Sequence, residues 1–186
     1  MKKAVILHGT MGTPEGNWFQ WLKQQLEAKG LEVWVPQLPN ADQPSLKEWS
    51  DYVLNNCPFV IDGDTLLVGH SSGAICSLLV AQQLISLGQV VAVSIFCNNT
   101  LGWEANNRLF DQDFDWAALK LISDKVLLIS SDDDPYVTID QPEDIARTSG
   151  AELLIWPGQG HFNLEKTQDY KAFPRLLSEL EQRNII

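Results

Sequence analysis

Short apolar runs alternate with helix-like segments along the chain. Each run is almost continuously hydrophobic, without the in-and-out alternation of a strand exposed on one face, so the pattern predicts strands covered on both faces. The predicted strands are Ala4–His8, Leu31–Pro36, Thr65–Gly69, Val90–Phe96, Lys125–Ser130 and Glu152–Trp156. The predicted helices are Trp18–Lys29, Ser45–Asn55, Ser72–Leu87, Asp115–Leu119, Gln141–Thr148 and Tyr170–Gln182.

This alternation predicts an α/β fold, a three-layer sandwich in which helices cover both faces of a six-stranded parallel sheet. We find no repeat and no linker, so we expect one domain over residues 1–186. Right-handed crossovers leave few topologies, and we expect the strand order 2-1-3-4-5-6 by chain number. In that order the direction of winding reverses between the first and third strands. Ligands bind at such a point, at the carboxyl ends of the strands.

Composition and charge exclude several classes of partner. The chain carries 24 acidic against 13 basic residues, a net charge of −11. That balance opposes nucleic acid and anionic membrane, because both bind positive surfaces. The apolar run 4–7 is too short for a signal-peptide core, and no stretch approaches the length of a membrane span, so we expect a cytoplasmic location. No spacing of cysteines suggests zinc, and we expect neither a metal nor a cofactor.

A glycine-flanked serine follows the third predicted strand. The stretch Gly69–Gly73 reads Gly-His-Ser-Ser-Gly and lies between the apolar runs 65–68 and 74–80. A strand, then G-x-S-x-G, then a helix is the layout of a nucleophile elbow, a turn too tight for bulky neighbours. Ser71 would project at a helix N-terminus, which favours negative charge. The alternative is an ordinary turn in which Ser71 or Ser72 caps the helix.

A serine nucleophile needs a base, and the chain has three histidines. His8 belongs to the first loop, where it would brace the turn, and His70 lies inside the elbow and would point away from Ser71. His161 lies in the glycine-rich stretch 158–162 after the last strand, at the same edge of the sheet. We therefore predict His161 as the base, against the alternative of a solvent-exposed loop histidine.

An acidic group should orient the base, and the segment 131–135, Ser-Asp-Asp-Asp-Pro, follows the fifth strand. We predict Asp134, because Pro135 fixes the backbone immediately after it and Val137 lies three residues on. Asp133 is the next candidate. The other readings are a solvated turn with capping carboxylates or a cation site, and no further ligand pattern supports the cation. The chain order serine, aspartate, histidine matches that of α/β-hydrolases.

Backbone N–H groups should stabilise the oxyanion that forms during acyl transfer. The residue after the nucleophile supplies one of them, the N–H of Ser72. We expect the second from the loop after the first strand, from Thr10 or, alternatively, from Met11.

The chain resembles small α/β-hydrolases, and specifically the retinoblastoma-binding-protein-9-like serine hydrolases. Three segments carry the resemblance: Gly69–Ala74, Asp133–Pro135 and Gly160–Phe162. It extends over essentially the whole chain and implies a compact hydrolase without a large lid, with Ser71, Asp134 and His161 as the triad. The first loop, His8–Gly12, departs from the family's proline-glycine-asparagine type and has the form common to α/β-hydrolases in general.

The expected function is hydrolysis of small or short-chain esters or thioesters through an acyl-serine. The segment Cys97–Ala117 is too short for a lid domain. Its aromatic residues would either wall the site or anchor the loop: Trp103, Phe110, Phe114 and Trp116. The alternative function is that of a protein- or ligand-binding module on a hydrolase fold, because fold does not guarantee chemistry. A peptidase is disfavoured, since no pocket for an extended peptide is evident, and protein partners are left open.

Overall fold

The computed structural model describes residues 2–84, 86, 88–99, 102–111 and 114–186. Its sheet has six strands in the order β2-β1-β3-β4-β5-β6, and every neighbouring pair is parallel. The strands are β1 Lys3–Leu7, β2 Glu32–Trp34, β3 Thr65–His70, β4 Gln89–Val93, β5 Val126–Ser130 and β6 Glu152–Ile155. This confirms the predicted fold class and strand order.

The helices are α1 Phe19–Ala28, α2 Leu46–Asn56, α3 Ser72–Gln82, α4 Asp140–Ser149 and α5 Pro174–Gln182. They lie on both faces of the sheet. Successive side chains of a strand point to opposite faces, and here the side chains on each face are apolar. In β1, Val5 and Leu7 join the core that packs against α2, α3 and α4. Ala4 and Ile6 join the second core, against α1 and α5.

Several predicted boundaries are wrong, each for a local reason. β4 ends at Val93 and not at Phe96, because Ser94 has a left-handed φ of +52° that a continuing strand cannot adopt. The last predicted helix begins instead at Pro174, which suits the first helical position but cannot continue a helix from before it. A separate 3-10 turn, Gln168–Lys171, precedes it.

Two further helices differ from prediction. α3 ends at Gln82, and its predicted end, Leu87, lies outside the described residues. The predicted helix Asp115–Leu119 is replaced by a 3-10 helix over Ala117–Lys125, a form common in connecting segments. None of the helices in the described ranges is long and apolar enough to cross a membrane.

The carboxyl edge of the sheet gathers the segments that the sequence singled out. β1 and β3 are neighbours with Leu7 opposite Gly69, so the first loop and the Ser71 turn leave the sheet side by side. β5 and β6 are neighbours too, with Ser130 opposite Ile155. The aspartate segment and the His161 loop therefore start from adjacent strand ends.

Candidate active site

Ser71 occupies a strained turn between β3 and α3. Its backbone has φ +58° and ψ −127°. Such a conformation costs a residue with a side chain about 1–3 kcal/mol. The Ser71 N–H donates to the Val93 carbonyl at 2.9 Å, which ties the turn to β4. The Ser71 side chain lines a cavity at the carboxyl edge of the sheet.

Three glycines make room for this turn. A Cβ on Gly69 would lie 2.3 Å from the carbonyl oxygen of Gly73, and one on Gly73 would lie 2.3 Å from that of His8. A Cβ on Gly9 would lie 2.7 Å from the Cβ of Ser71. The first loop and the serine turn are thus in direct contact, as the strand order predicted.

His161 and Asp134 form a buried pair. His161 Nδ1 lies 2.8 Å from Asp134 Oδ2, and the side chains are 8% and 2% exposed. Asp134 Oδ1 accepts the backbone N–H groups of Tyr136 at 2.9 Å and Val137 at 3.1 Å. A carboxylate only accepts, so in the neutral ring His161 Nδ1 carries the proton and Nε2 is left able to take one.

The two neighbouring aspartates hold the loop that carries His161. Asp133 accepts the Gly160 N–H at 2.6 Å and pairs with Lys166 at 2.6 Å. The Lys166 hydrogen bond, followed by that of Gly160, lowers the pKa of Asp133 to about 2. Asp132 accepts the Gly158 N–H at 2.9 Å. Asp133, the second candidate for the acid, therefore bonds to the backbone of the loop and not to the imidazole.

Ser71 and His161 line one cavity of about 430 Å³, within the range of small-molecule sites. No hydrogen bond joins the two side chains among those found for the described residues, and such bonds commonly tighten when substrate binds. The apolar lining residues are Met11, Phe19, Phe96, Trp103, Tyr136, Val137 and Leu164. The amide lining residues are Asn17, Asn98, Asn99, Asn106 and Asn163.

The predicted oxyanion donors have different surroundings. Within the described residues, the Ser72 backbone N–H donates to no acceptor, as expected at the first position of a helix. The Thr10 N–H donates to the Ser72 hydroxyl at 2.7 Å, and Thr10 Oγ1 donates to Asn106 Oδ1 at 2.7 Å. The Met11 N–H donates to the Ala41 carbonyl at 2.6 Å. The Met11 N–H is therefore bonded to a backbone carbonyl, whereas the acceptor of the Thr10 N–H is a side-chain hydroxyl that can rotate away.

The other two histidines contact backbone groups. His8 Nδ1 donates to the Gly9 carbonyl at 2.9 Å, and Nε2 accepts the Leu38 N–H at 3.0 Å. Burial lowers the pKa of His8. It therefore braces the first loop, as predicted. His70 Nε2 contacts the carbonyl oxygen of His161 at 2.7 Å and does not bond to Ser71.

Aromatic rings cover one side of the cavity. The Tyr136 ring stands edge-on to the His161 ring at 5.0 Å, and Trp103 stands edge-on to Tyr136 at 4.5 Å. Of the four aromatics weighed from the sequence, only Trp103 lines the cavity. The other three pack against the core under the loop: Phe110, Phe114 and Trp116. Sequence reasoning missed Tyr136, although its place directly after the Asp-Pro turn was a usable signal.

The cavity carries no positive side chain among its described lining residues, apart from any charge on its histidines. Glu165 is the one acidic residue among the described lining residues; it accepts from the Tyr136 hydroxyl and raises the pKa of Tyr136 to about 12. In the described part of the chain, no group of three or more His, Cys, Asp or Glu side chains could hold a metal ion. The chemistry available here is that of a hydroxyl, an imidazole and a carboxylate.

A six-stranded parallel sheet in this order, with a strained serine turn at its carboxyl edge, defines an α/β-hydrolase fold. The chain belongs to the serine hydrolase family, whose model matches residues 4–182. It is 30% identical over 164 residues to YdeN of Bacillus subtilis (strain 168), a protein described as a candidate hydrolase, with 87% of this chain and 86% of that one covered. It is 27% identical over 168 residues to the serine hydrolase RBBP9 of Rattus norvegicus, covering 86% and 87%.

The fold is also that of a solved relative. The crystal structure of the ydeN product of B. subtilis superposes with a TM-score of 0.83 over 98% of both chains, at 26% identity. The resemblance predicted from the serine, aspartate and histidine segments is thereby confirmed, and the protein is a hydrolase of this family.

Proposed function

We propose that the protein hydrolyses small or short-chain carboxylic esters or thioesters through an acyl-serine intermediate. The observation that carries the proposal is the buried Asp134–His161 hydrogen bond, in a cavity that Ser71 also lines. That arrangement supplies a nucleophile, a base and the group that orients the base.

In the acylation step, Ser71 Oγ attacks the carbonyl carbon of the substrate while His161 Nε2 takes the hydroxyl proton. The tetrahedral intermediate then collapses: the bond to the leaving oxygen or sulfur breaks, and Nε2 gives that atom the proton. In deacylation, water loses a proton to Nε2, attacks the acyl carbon and releases the acid, and the proton returns to Ser71. Asp134 stabilises the imidazolium that forms in each step.

The negative charge of each tetrahedral intermediate falls on the former carbonyl oxygen. The Ser72 N–H at the start of α3 donates to it, and the helix dipole favours it. The Thr10 N–H is the second donor. Its hydrogen bond to the Ser72 hydroxyl is replaced by one to the oxyanion. A single donor of this kind typically contributes about 3–4 kcal/mol of transition-state stabilisation.

The residues that line the cavity indicate the charge of the substrate. Its lining is part aromatic and part amide, and the described lining residues include no lysine or arginine to pair with a second carboxylate. A net charge of −11 further opposes anionic substrates. We therefore assign the site to uncharged, small-molecule acyl groups.

The test is labelling with a fluorophosphonate probe, followed by a series of p-nitrophenyl esters from acetate to palmitate. We expect Ser71-dependent labelling, turnover of the acetate and butyrate, and none of the palmitate. Ser71→Ala is the matched control and should lose both labelling and turnover. If the wild-type protein stays unlabelled at high probe excess, the protein is a binding module on a hydrolase fold.

A further inference from the structure

The residue before the nucleophile is bonded to the backbone of the predicted base. His70 ends β3, directly before Ser71, and is only 4% exposed. Its Nε2 lies 2.7 Å from the carbonyl oxygen of His161. A carbonyl oxygen can only accept, so Nε2 carries the proton and His70 is the donor. One hydrogen bond therefore connects the strand that presents Ser71 to the loop that presents His161.

The loop held by this bond is sharply bent. Gly160 has φ +59°, and the next residue but one, Phe162, has φ +51° although it is a fully buried aromatic residue. A left-handed conformation at a bulky residue is unfavourable and persists only where its surroundings fix it. The Phe162 carbonyl accepts from Trp18 Nε1 at 3.0 Å. Two consecutive carbonyls, of His161 and Phe162, are thus held by buried N–H donors.

Packing leaves His70 little freedom. Its ring lies 4.8 Å from the ring of His161 and is flanked by Trp18 at 6.0 Å and Phe19 at 5.9 Å. Burial, followed by the proximity of His161, lowers the pKa of His70 to about 3. His70 therefore stays neutral across the pH range in which a base at position 161 would work, and its donor is always present.

We propose that His70 is a positioning residue, whose Nε2–H holds the His161 carbonyl and so fixes the His161 imidazole relative to Ser71. This inference rests on the proposed function. Its physical basis is that catalysis by a positioned base depends steeply on geometry, and a displacement of about 1 Å can cost about 100-fold in rate. No direct hydrogen bond between the Ser71 and His161 side chains appears among those of the described residues, so their separation depends on the backbone that carries them.

Two uncharged amides form a matched pair of variants. The amide nitrogen of His70→Gln can reach the place of Nε2, whereas that of His70→Asn corresponds to Nδ1 and falls short of the carbonyl. We expect kcat on p-nitrophenyl acetate, per fluorophosphonate-titrated site, to fall by about tenfold to 100-fold in His70→Asn. KM should change little. His70→Gln should recover most of the lost kcat.

Equal kcat per titrated site in the wild type and His70→Asn would overturn the inference, and so would a His70→Gln variant as impaired as His70→Asn. If His70→Asn does not fold, the wild-type protein still supplies a test. Nitrogen-15 NMR of the histidine rings should show an Nε2–H tautomer at residue 70 that does not titrate between pH 5 and pH 9, and an Nδ1–H tautomer would refute the donor role. Absence of turnover and labelling in the wild type would instead refute the proposed function.

Discussion

Asp134 contacts His161 with one carboxylate oxygen and uses the other to accept two backbone N–H groups. The Asp134 carboxylate is therefore fixed by hydrogen bonds on both oxygens. In Asp134→Asn, the amide would present a donor or a weaker acceptor to the imidazole, and the wrong tautomer would be favoured. We expect kcat to fall by about 10⁴-fold, as for loss of a triad aspartate, measured on p-nitrophenyl acetate.

Asp133→Asn is the matched control for that substitution, because it makes the same chemical change one residue earlier. Asp133 bonds to Gly160 N and Lys166 and not to the imidazole. We expect its kcat to stay within about tenfold of wild type, in line with an indirect positional effect. If the larger loss occurred in Asp133→Asn, the assignment of Asp134 as the acid would be wrong.

The strain at Ser71 should be measurable as a difference in the free energy of unfolding between two variants at that position. A residue with a Cβ pays about 1–3 kcal/mol to adopt this conformation, whereas glycine at a fixed position costs only about 0.5–1 kcal/mol in chain entropy. Relief of strain exceeds the entropic cost, so Ser71→Gly should have a free energy of unfolding about 1 kcal/mol above that of Ser71→Ala. Urea unfolding of the two variants compares them directly. Equal midpoints would show that the turn is not strained.

Trp103 should affect which acyl chains are accepted. It is 39% exposed and contacts Tyr136 at the rim of the cavity, and each buried methylene contributes about 0.8 kcal/mol. We expect Trp103→Ala to lower kcat/KM for p-nitrophenyl butyrate by about threefold to tenfold more than for the acetate. Trp116→Ala is the control, because Trp116 packs against the core and is not among the described residues that line the cavity. It should lower stability without changing the ratio of the two esters.

The pH dependence of stability should carry the signature of Asp133. Its pKa in the folded protein is about 2, against an ordinary value of 3.8. Folding therefore favours the charged form, and the stabilisation is present above about pH 4 and is lost as the pH falls through about 2. The difference in unfolding free energy between wild type and Asp133→Asn should be constant from pH 7 to pH 4 and shrink below that.

Lys166→Met gives an independent check of this window, because the Lys166 hydrogen bond is the largest cause of the shift. At pH 7 the free energy of unfolding of that variant should be below that of the wild type. The difference should be smaller at high salt, since both side chains of the pair are about 40% exposed and salt screens their attraction. A difference that persisted unchanged at pH 2 would contradict the assignment of the shift to Asp133.

The sequence determined the layers and the strand order, because continuous apolar runs and right-handed crossovers leave few choices. It could not determine where β4 ends, since a left-handed φ at a serine such as Ser94 is uncommon and its residue type does not predict it. It also predicted one helix across Pro174, where the amphipathic pattern continues but the backbone does not.

At the site, the loop pattern led to Asp134 and His161, and the structure brings them together. The interactions that the sequence could not reveal join distant segments. The hydrogen bond from His70 to the His161 carbonyl connects residues that are 91 positions apart. The sequence also could not show that Asp133 accepts from Gly160. Three consecutive aspartates are chemically identical, and only the folded structure shows which group each carboxylate binds.

The Ser71 amide hydrogen is bonded to Val93, and the Ser94 amide is bonded in turn to Ile129. The hydrogen-bond ladder thus runs past the strand ends into the site itself. Deuterium should consequently enter the Ser71 amide only when the central strands separate, as slowly as in the deepest core, although the adjoining side chain faces a cavity. Any adjustment to a bound molecule must then come from the surrounding loops, while the backbone beneath the hydroxyl stays still.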